Sequence, residues 1–216
     1  MGAGAASDGI MTRTIPVDPM VPEAGTLGEA AAVLRGGGLA AFPTETFYGL
    51  GAAALDAAAV RRVLEVKGRP EGRPLLVLVD SIAMVDSVAL EVPDRGRVLM
   101  ARHWPGALTL VLRARPGLPD PVTAGSGTVG VRLSSHPVAR GLVRAFGAPV
   151  TAPSANPSGL AAPTTAGQVL AHLGGRIALV LDGGTTAGGE PSTVLDVTVD
   201  PPRLIRAGAV RLPRCE

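Results

Sequence analysis

The sequence predicts an α/β fold, a single domain in which helices flank a mixed sheet. Three observations predict it. Helical and strand-like patterns interleave over all 216 residues, as they do where strands and helices share one core. The turns between them are short, with no linker-like stretch. Apolar residues make up 46% and charged residues 18%, a balance that fills a core and does not solvate a tail.

The elements follow in order. Residues 1–11 are small and polar and read as a disordered lead, and Thr12 to Val17 reads as a strand. Thr26 is the expected cap of a helix through Arg35, with Leu27, Ala30, Ala31 and Leu34 on one face and Gly36-Gly37-Gly38 as its stop. Leu39 to Phe42 is a short buried strand that meets Pro43. Asp56 caps a helix with Val60, Val63, Leu64 and Lys67 near one side, ended by Gly68 and Pro70. Leu75 to Val79 is a strand, and two helical stretches fall within 81–103. Leu108 to Leu112 and Thr128 to Leu133 are strands. Pro137 opens a helix whose face is Val138, Leu142, Val143 and Phe146, closed by Gly147. A strand end at Pro149 to Ala152 and a helix over Thr165 to Leu173 follow. Ile177 to Leu181, Thr193 to Val197 and Leu204 to Arg206 complete the set of strands.

Several function classes fall away. The single cysteine, Cys215, makes neither an internal disulfide nor a thiolate metal cage. No apolar run approaches the roughly 18 residues that span a bilayer, and Met1 to Thr14 lacks the basic start and apolar stretch of a secretion signal. The expectation is a cytoplasmic protein with no membrane partner. A formal charge of +2 does not mark a nucleic-acid binder, although a pI near 9.3 suits anionic ligands. The histidines His103, His136 and His172 have no ligand spacing, so no metal site built by side chains is expected, and His136 reads as a surface or capping residue. Trp104 reads as a core or turn anchor. Lys67 is the only lysine among 20 basic residues and Asn156 the only asparagine; each departs from the compositional bias.

Two motifs test negative. Gly125 to Gly130 matches GxGxxG, but β-branched residues follow, so the segment opens a strand where a dinucleotide site needs a helix. Nothing matches GxxxxGK[ST], so an ATP user here is not a P-loop enzyme.

Four segments carry chemistry. Phe42-Pro43-Thr44-Glu45-Thr46-Phe47-Tyr48-Gly49-Leu50-Gly51 holds three of the five aromatics beside two hydroxyls and a carboxylate, at a strand end where α/β sheets open a crevice. The plainer reading is a turn with packed aromatics. Lys67-Gly68-Arg69-Pro70, followed by Arg73-Pro74, displays cations on a stiffened segment, suited to phosphates or simply complementing a helix end. In Thr128 to Leu133, alternation puts Thr128, Gly130 and Arg132 on one face, with Thr128 and Arg132 roughly 13 Å apart. That row could seat an anion or could be a half-exposed strand. Thr151 to Gly159 brackets a serine and Asn156 with two prolines, a pattern that turns also favour.

In order, these segments resemble the Sua5/YciO/YrdC family. The blocks are PTETxYGLG, KGRP with Pro74-Leu75, WPGxLTLVL at Trp104 to Leu112, TVGVR at 128–132, APSANPSG at 152–159, and STVLD at 192–196 with IRAG at 205–208. The match covers roughly residues 12–210, leaving 211–216 as a short C-terminal tail.

The resemblance implies a YrdC-like twisted mixed sheet with flanking helices, curved around a basic cavity. It implies an enzyme that joins L-threonine, bicarbonate or CO2, and ATP into threonylcarbamoyl-AMP and pyrophosphate, for threonylcarbamoyladenosine (t6A) in tRNA. Mg²⁺ would ride on the phosphates, and tRNA or a downstream t6A transferase complex would be further partners.

Carried over by position, Lys67, Arg69, Ser154 and Asn156 match the family's catalytic tetrad. Arg69, Arg73, Thr128, Ser154 and Arg206 match ATP-binding positions, and Thr46, Arg132 and Ser192 match positions around the threonine. Many relatives have asparagine where Arg73 stands, histidine at Leu78 and serine at Ala162. The larger Sua5 members carry a C-terminal domain, and a chain ending at Glu216 is not expected to have room for it.

Two rival readings stand beside this one. One is a non-catalytic RNA-binding module of the same fold, against which low net charge and scarce aromatics count. The other is a carbamoyl-adenylate enzyme using carbamoyl phosphate, whose relatives carry zinc-finger and acylphosphatase segments missing here. No nucleophile–base pair stands out, so a covalent enzyme intermediate is not expected.

Overall fold

A computed structural model describes residues 11–68, 72 and 74–212. Most of the expected lead, Arg69, Pro70 and Arg73, and the tail from residue 213 onward, including Cys215, lie outside the described residues.

The chain runs β1 (Arg13–Pro16), α1 (Ala24–Arg35), β2 (Ala40–Pro43), β3 (Tyr48–Gly51), α2 (Ala57–Lys67), β4 (Leu76–Leu78), α3 (Ile82–Val85) and α4 (Asp94–His103). It continues with β5 (Leu108–Arg113), α5 (Asp120–Thr123), β6 (Thr128–Arg132), α6 (Pro137–Phe146), β7 (Val150–Thr151), α7 (Ala166–Leu173), β8 (Leu179–Asp182), β9 (Thr193–Asp196) and β10 (Arg203–Arg206).

The strands divide into two mixed sheets where the sequence suggested one. Four stand in the order β1-β8-β2-β3 and six in the order β10-β9-β5-β6-β4-β7. The sheets meet where β3 lies beside the chain around β7, through bridges Gly49–Ser154 and Ala53–Val150. Gly51 permits this approach, because a Cβ there would sit 2.7 Å from a Phe42 ring carbon and 3.0 Å from a Val150 methyl. One apolar core joins Ala41, Tyr48 and Leu50 of the first sheet to Val77, Leu110 and Val131 of the second.

Helix α2 starts at Asp56, whose carboxylate accepts from the amides of Ala58 and Ala59, and ends at Gly68 in the left-handed region (φ 54°). Helix α6 starts at Pro137, with His136 Nδ1 accepting from the Val138 amide, so this histidine is a cap. Its buried face, Val138, Ala139, Leu142 and Val143, packs in a second cluster with Leu27, Ala30, Ala31 and Leu34 of α1. Trp104 is the expected anchor: it is buried, and its Nε1 donates to the Leu108 carbonyl at 2.7 Å.

Two expectations need correction. Helix α1 begins at Ala24 after Glu23, with no side-chain cap, so Thr26 lies within the first turn. Strand β3 was not expected at all: its glycines read as a turn, but every residue from Tyr48 to Gly51 is paired with β2. The GxGxxG match does run into β6, as expected. Among the described residues, no helix is long and apolar enough to cross a membrane.

Candidate active site

One cavity of about 560 Å³ opens between the two sheets. The hairpin turn between β2 and β3 forms one wall with Thr44, Thr46 and Phe47. Strands β5 and β6 supply the floor, and β10 with the chain before β9 supplies Ser192, Ile205 and Arg206. The segment after β7 closes the last side with Ala152, Pro153 and Ser154.

The alternation read in the sequence sets the floor. Thr128, Gly130 and Arg132 face the cavity, while Val129 and Val131 are buried in the core behind. Antiparallel pairing with β5 brings Thr109 and Val111 onto the same floor. Six predicted positions therefore converge: Thr46, Thr128, Arg132, Ser154, Ser192 and Arg206.

Two guanidinium groups dominate the electrostatics. Arg132 is 3% exposed, and its buried Nε has no hydrogen-bond partner among the described residues. Its nearest counter-charge is Glu45, with Nε to Oε1 at 3.6 Å. The other oxygen of Glu45 accepts a hydrogen bond from Ser134 Oγ. Burial holds the Arg132 pKa below its ordinary value, and Glu45 opposes that shift. Arg206 donates from Nε and Nη2 to the Ser192 carbonyl at 3.0 and 2.8 Å and from Nη2 to Ser192 Oγ at 3.0 Å. Its pKa is also lowered, first by burial and then by the positive charge of Arg132. Arginine stays charged in proteins, so both shifts describe cations whose environment is improved by an incoming anion.

Ser192 is itself held by Thr109, with Oγ to Oγ1 at 2.9 Å. Gly208, just past β10, packs against the Ser192 backbone so closely that a Cβ would lie 2.1 Å from the Pro191 carbonyl oxygen. Tyr48, a fully buried residue beside the cavity, donates its hydroxyl to the Gly184 carbonyl at 2.7 Å. Burial, with the Asp182 charge, pushes its pKa up to about 12, so it remains a neutral phenol.

Lys67 and Asn156 stand behind the wall and are not among the side chains that line the cavity. The Lys67 ammonium, 3% exposed, donates to the carbonyls of Ser154 and Asn156 at 2.5 and 2.7 Å. The Ser158 amide returns a bond to the Lys67 carbonyl at 2.7 Å. Asn156 Nδ2 donates to the carbonyls of Pro157 and Leu160, and its buried Oδ1 has no partner among the described residues. The end of α2 and the Ser154–Ser158 loop are thus tied together at the lysine. Arg69 and Arg73 lie outside the described residues.

Of the noted departures, Leu78 is 1% exposed and packs in the core, and Ala162 lines the cavity. Sequence reasoning passed over Thr109, Ser134 and Gly208 as individual site residues and gave Thr44 and Glu45 no separate role. Thr109 had a signal: it is a hydroxyl among the apolar residues of β5, on the same face as Val111.

Comparisons with known proteins agree with this geometry. The Sua5/YciO/YrdC family model, described as "Telomere recombination", matches residues 32–208. The threonylcarbamoyl-AMP synthase of Bacillus subtilis is 46% identical over 191 residues, covering 88% of this chain and 55% of that protein. The chain therefore spans about half the length of the first curated relatives it matches. It covers 92% of the threonylcarbamoyl-AMP synthase of Thiobacillus denitrificans, with 37% identity over 176 residues and 82% of this chain aligned. Among solved structures, Pyrococcus abyssi Sua5 complexed with L-threonine superposes with a TM-score of 0.88 and 44% identity, covering 91% of this chain and 58% of that one. With most of its length matched and the motif-bearing strands and loops gathered around one basic cavity, the chain belongs to the Sua5/YciO/YrdC family.

Proposed function

We propose that the chain is a nucleotidyltransferase that makes threonylcarbamoyl-AMP and pyrophosphate from L-threonine, bicarbonate or CO2, and ATP, for t6A modification of tRNA. The observation that carries the reading is the pair of guanidinium groups, the buried Arg132 and the exposed Arg206, that line one cavity opposite the Ser154 loop. Such a site suits two anionic groups at once, a carboxylate and a phosphate. The similarity to named synthases and to a threonine-bound structure supports the same substrates.

The chemistry needs no covalent enzyme intermediate. The threonine amine attacks CO2 to give a carbamate and release a proton. A carbamate oxygen then attacks the α-phosphorus, and the bond to the β,γ-pyrophosphate breaks. The task of the protein is to align the reactants and balance charge as the phosphate transfers. Arg132 would take the threonine carboxylate with its Nη edge, because its Nε edge faces Glu45. Arg206 and Thr128 would meet the nucleotide, with Ser154 on the opposite wall. Lys67 would fix that wall through the Ser154 and Asn156 carbonyls.

Mg²⁺ would enter on the triphosphate and supply charge neutralisation there. The residues fit that arrangement: among the described residues no carboxylate lines the cavity, and no cluster of His, Cys, Asp or Glu could hold a metal. A metal bound through substrate phosphates and water asks for no such cluster. We extend the proposal to tRNA or a t6A transferase complex as the consumer of the product.

The test is pyrophosphate release and mass spectrometry with ATP, bicarbonate and Mg²⁺, with and without L-threonine. Threonine-dependent pyrophosphate together with the threonylcarbamoyl-AMP mass is expected. Neither product, with salt-sensitive RNA binding instead, would establish the binding-module reading.

A further inference from the structure

The turn that carries Thr44 and Thr46 allows its hydroxyl hydrogens to be placed atom by atom. Thr44 Oγ1 lies 2.6 Å from the Phe47 carbonyl oxygen. That oxygen only accepts, so the single hydroxyl hydrogen of Thr44 points there. The same Thr44 oxygen takes the Thr46 amide at 3.2 Å and meets Thr46 Oγ1 at 3.2 Å. With its own hydrogen committed, Thr44 accepts in both contacts, and the Thr46 hydroxyl is the donor.

The rest of Thr46 is committed as well, since its carbonyl accepts from the Gly188 amide at 2.8 Å. What remains is the lone-pair side of Thr46 Oγ1, on a residue 5% exposed in the cavity wall. A hydroxyl whose hydrogen is held elsewhere offers the cavity acceptor capacity alone. Glu45, between the two threonines, is turned onto Ser134 and Arg132. The acceptor at this end of the cavity is therefore uncharged.

That distinction matters for an amine that has to react. A carboxylate beside it would favour the ammonium form, whereas a hydroxyl accepts its N–H without adding charge. The positive charges of Arg132 and Arg206 in the same cavity favour the neutral amine further.

We propose that Thr44 is a positioning residue that fixes Thr46 Oγ1 as an acceptor for an N–H of the substrate's α-amine, so that this end of the cavity selects an amine over an anionic oxygen. The inference rests on the synthase reading above.

The test compares L-threonine with 3-hydroxybutyrate, which keeps the carboxylate and hydroxyl and lacks the amine. Both are titrated calorimetrically into the intact chain and into Thr44→Val, Thr44→Ser and Thr46→Val. Thr44→Val keeps the shape and frees the Thr46 hydroxyl to rotate. L-Threonine is expected to bind it about tenfold more weakly, the scale of one lost hydrogen bond, with 3-hydroxybutyrate unchanged or tighter. Thr44→Ser should restore the preference, and Thr46→Val should lose it as Thr44→Val does. Equal weakening of both ligands in Thr44→Val, or unchanged L-threonine binding, overturns the proposal and leaves the synthase reading intact. If Thr44→Val fails to fold, Thr46→Val decides by the same comparison. An intact chain that binds no L-threonine overturns the synthase reading, and this inference with it.

Discussion

Arg132 Nε faces Glu45 Oε1 at 3.6 Å, and neither atom has a hydrogen-bond partner among the described residues. The pair is held by charge alone, in a place where Arg132 is 3% exposed and the Glu45 side chain 15%. A buried cation that loses its counter-charge is costly, whereas a buried pair replaced by apolar groups is close to neutral.

Glu45→Gln keeps the shape and the contact with Ser134 and removes the charge. It should destabilise the fold by about 3 kcal/mol in urea unfolding. Adding Arg132→Met to that variant should recover most of the loss while abolishing carboxylate binding. A Glu45→Gln variant within about 0.5 kcal/mol of the parent would show that the pair has no such role.

Two glycines, one on the cavity floor and one where the sheets meet, should respond oppositely to alanine. At Gly130 a Cβ would only touch the Thr109 methyl at 3.4 Å, an ordinary contact, but would stand on the cavity floor between Thr128 and Arg132. Gly130→Ala should fold normally and raise the KM for ATP or L-threonine about tenfold, the effect of roughly 1.4 kcal/mol. At Gly51 the added carbon meets Phe42 at 2.7 Å, Val150 at 3.0 Å and the Ala40 carbonyl at 3.2 Å. Gly51→Ala should cost about 2 kcal/mol of stability, as overpacked cores do, which thermal unfolding would register.

Lys67 links the end of α2 to two carbonyls of the Ser154–Asn156 loop. Lys67→Met keeps the buried stem and removes the ammonium. Turnover should fall about 10²-fold or more, and the Ala155 amide, bonded to the Tyr48 carbonyl at 2.9 Å, should exchange faster with deuterium. Lost turnover with unchanged exchange would place the effect of the lysine on the reactants alone.

The sequence revealed the site where periodicity acts on one strand. In β6, the alternation of Thr128, Gly130 and Arg132 with Val129 and Val131 was enough to orient the floor of the cavity. It did not reveal β3, because Gly49 and Gly51 look like turn residues when read locally. Their reason is non-local: Gly51 lets Phe42 and Val150 pack against the strand, and Gly49 sits at the bridge to Ser154. The start of α1 was misplaced because Thr26 resembles a cap, whereas the helix begins at Ala24 after Glu23 with no side-chain cap. The Glu45–Arg132 pair spans two sheets, and spacing along one chain carries no signal for it.

The stability of the fold should fall as pH drops below about 6.5, and His136 should be one cause. Burial lowers its pKa from the ordinary value of 6.5, partly opposed by the Glu45 charge. A histidine whose folded pKa is depressed binds fewer protons folded than unfolded. Its contribution is therefore present above the ordinary value and lost as pH falls through it. Geometry gives the same sign, since Nδ1 accepts from the Val138 amide at 3.3 Å and a protonated Nδ1 cannot. His103, whose pKa burial also lowers, acts in the same direction. His136→Asn keeps a capping oxygen and removes the titration. Urea unfolding between pH 7.5 and pH 5.5 should then show a smaller decline for the variant than for the parent. Identical pH profiles would remove His136 from the account and leave the cap as its only role.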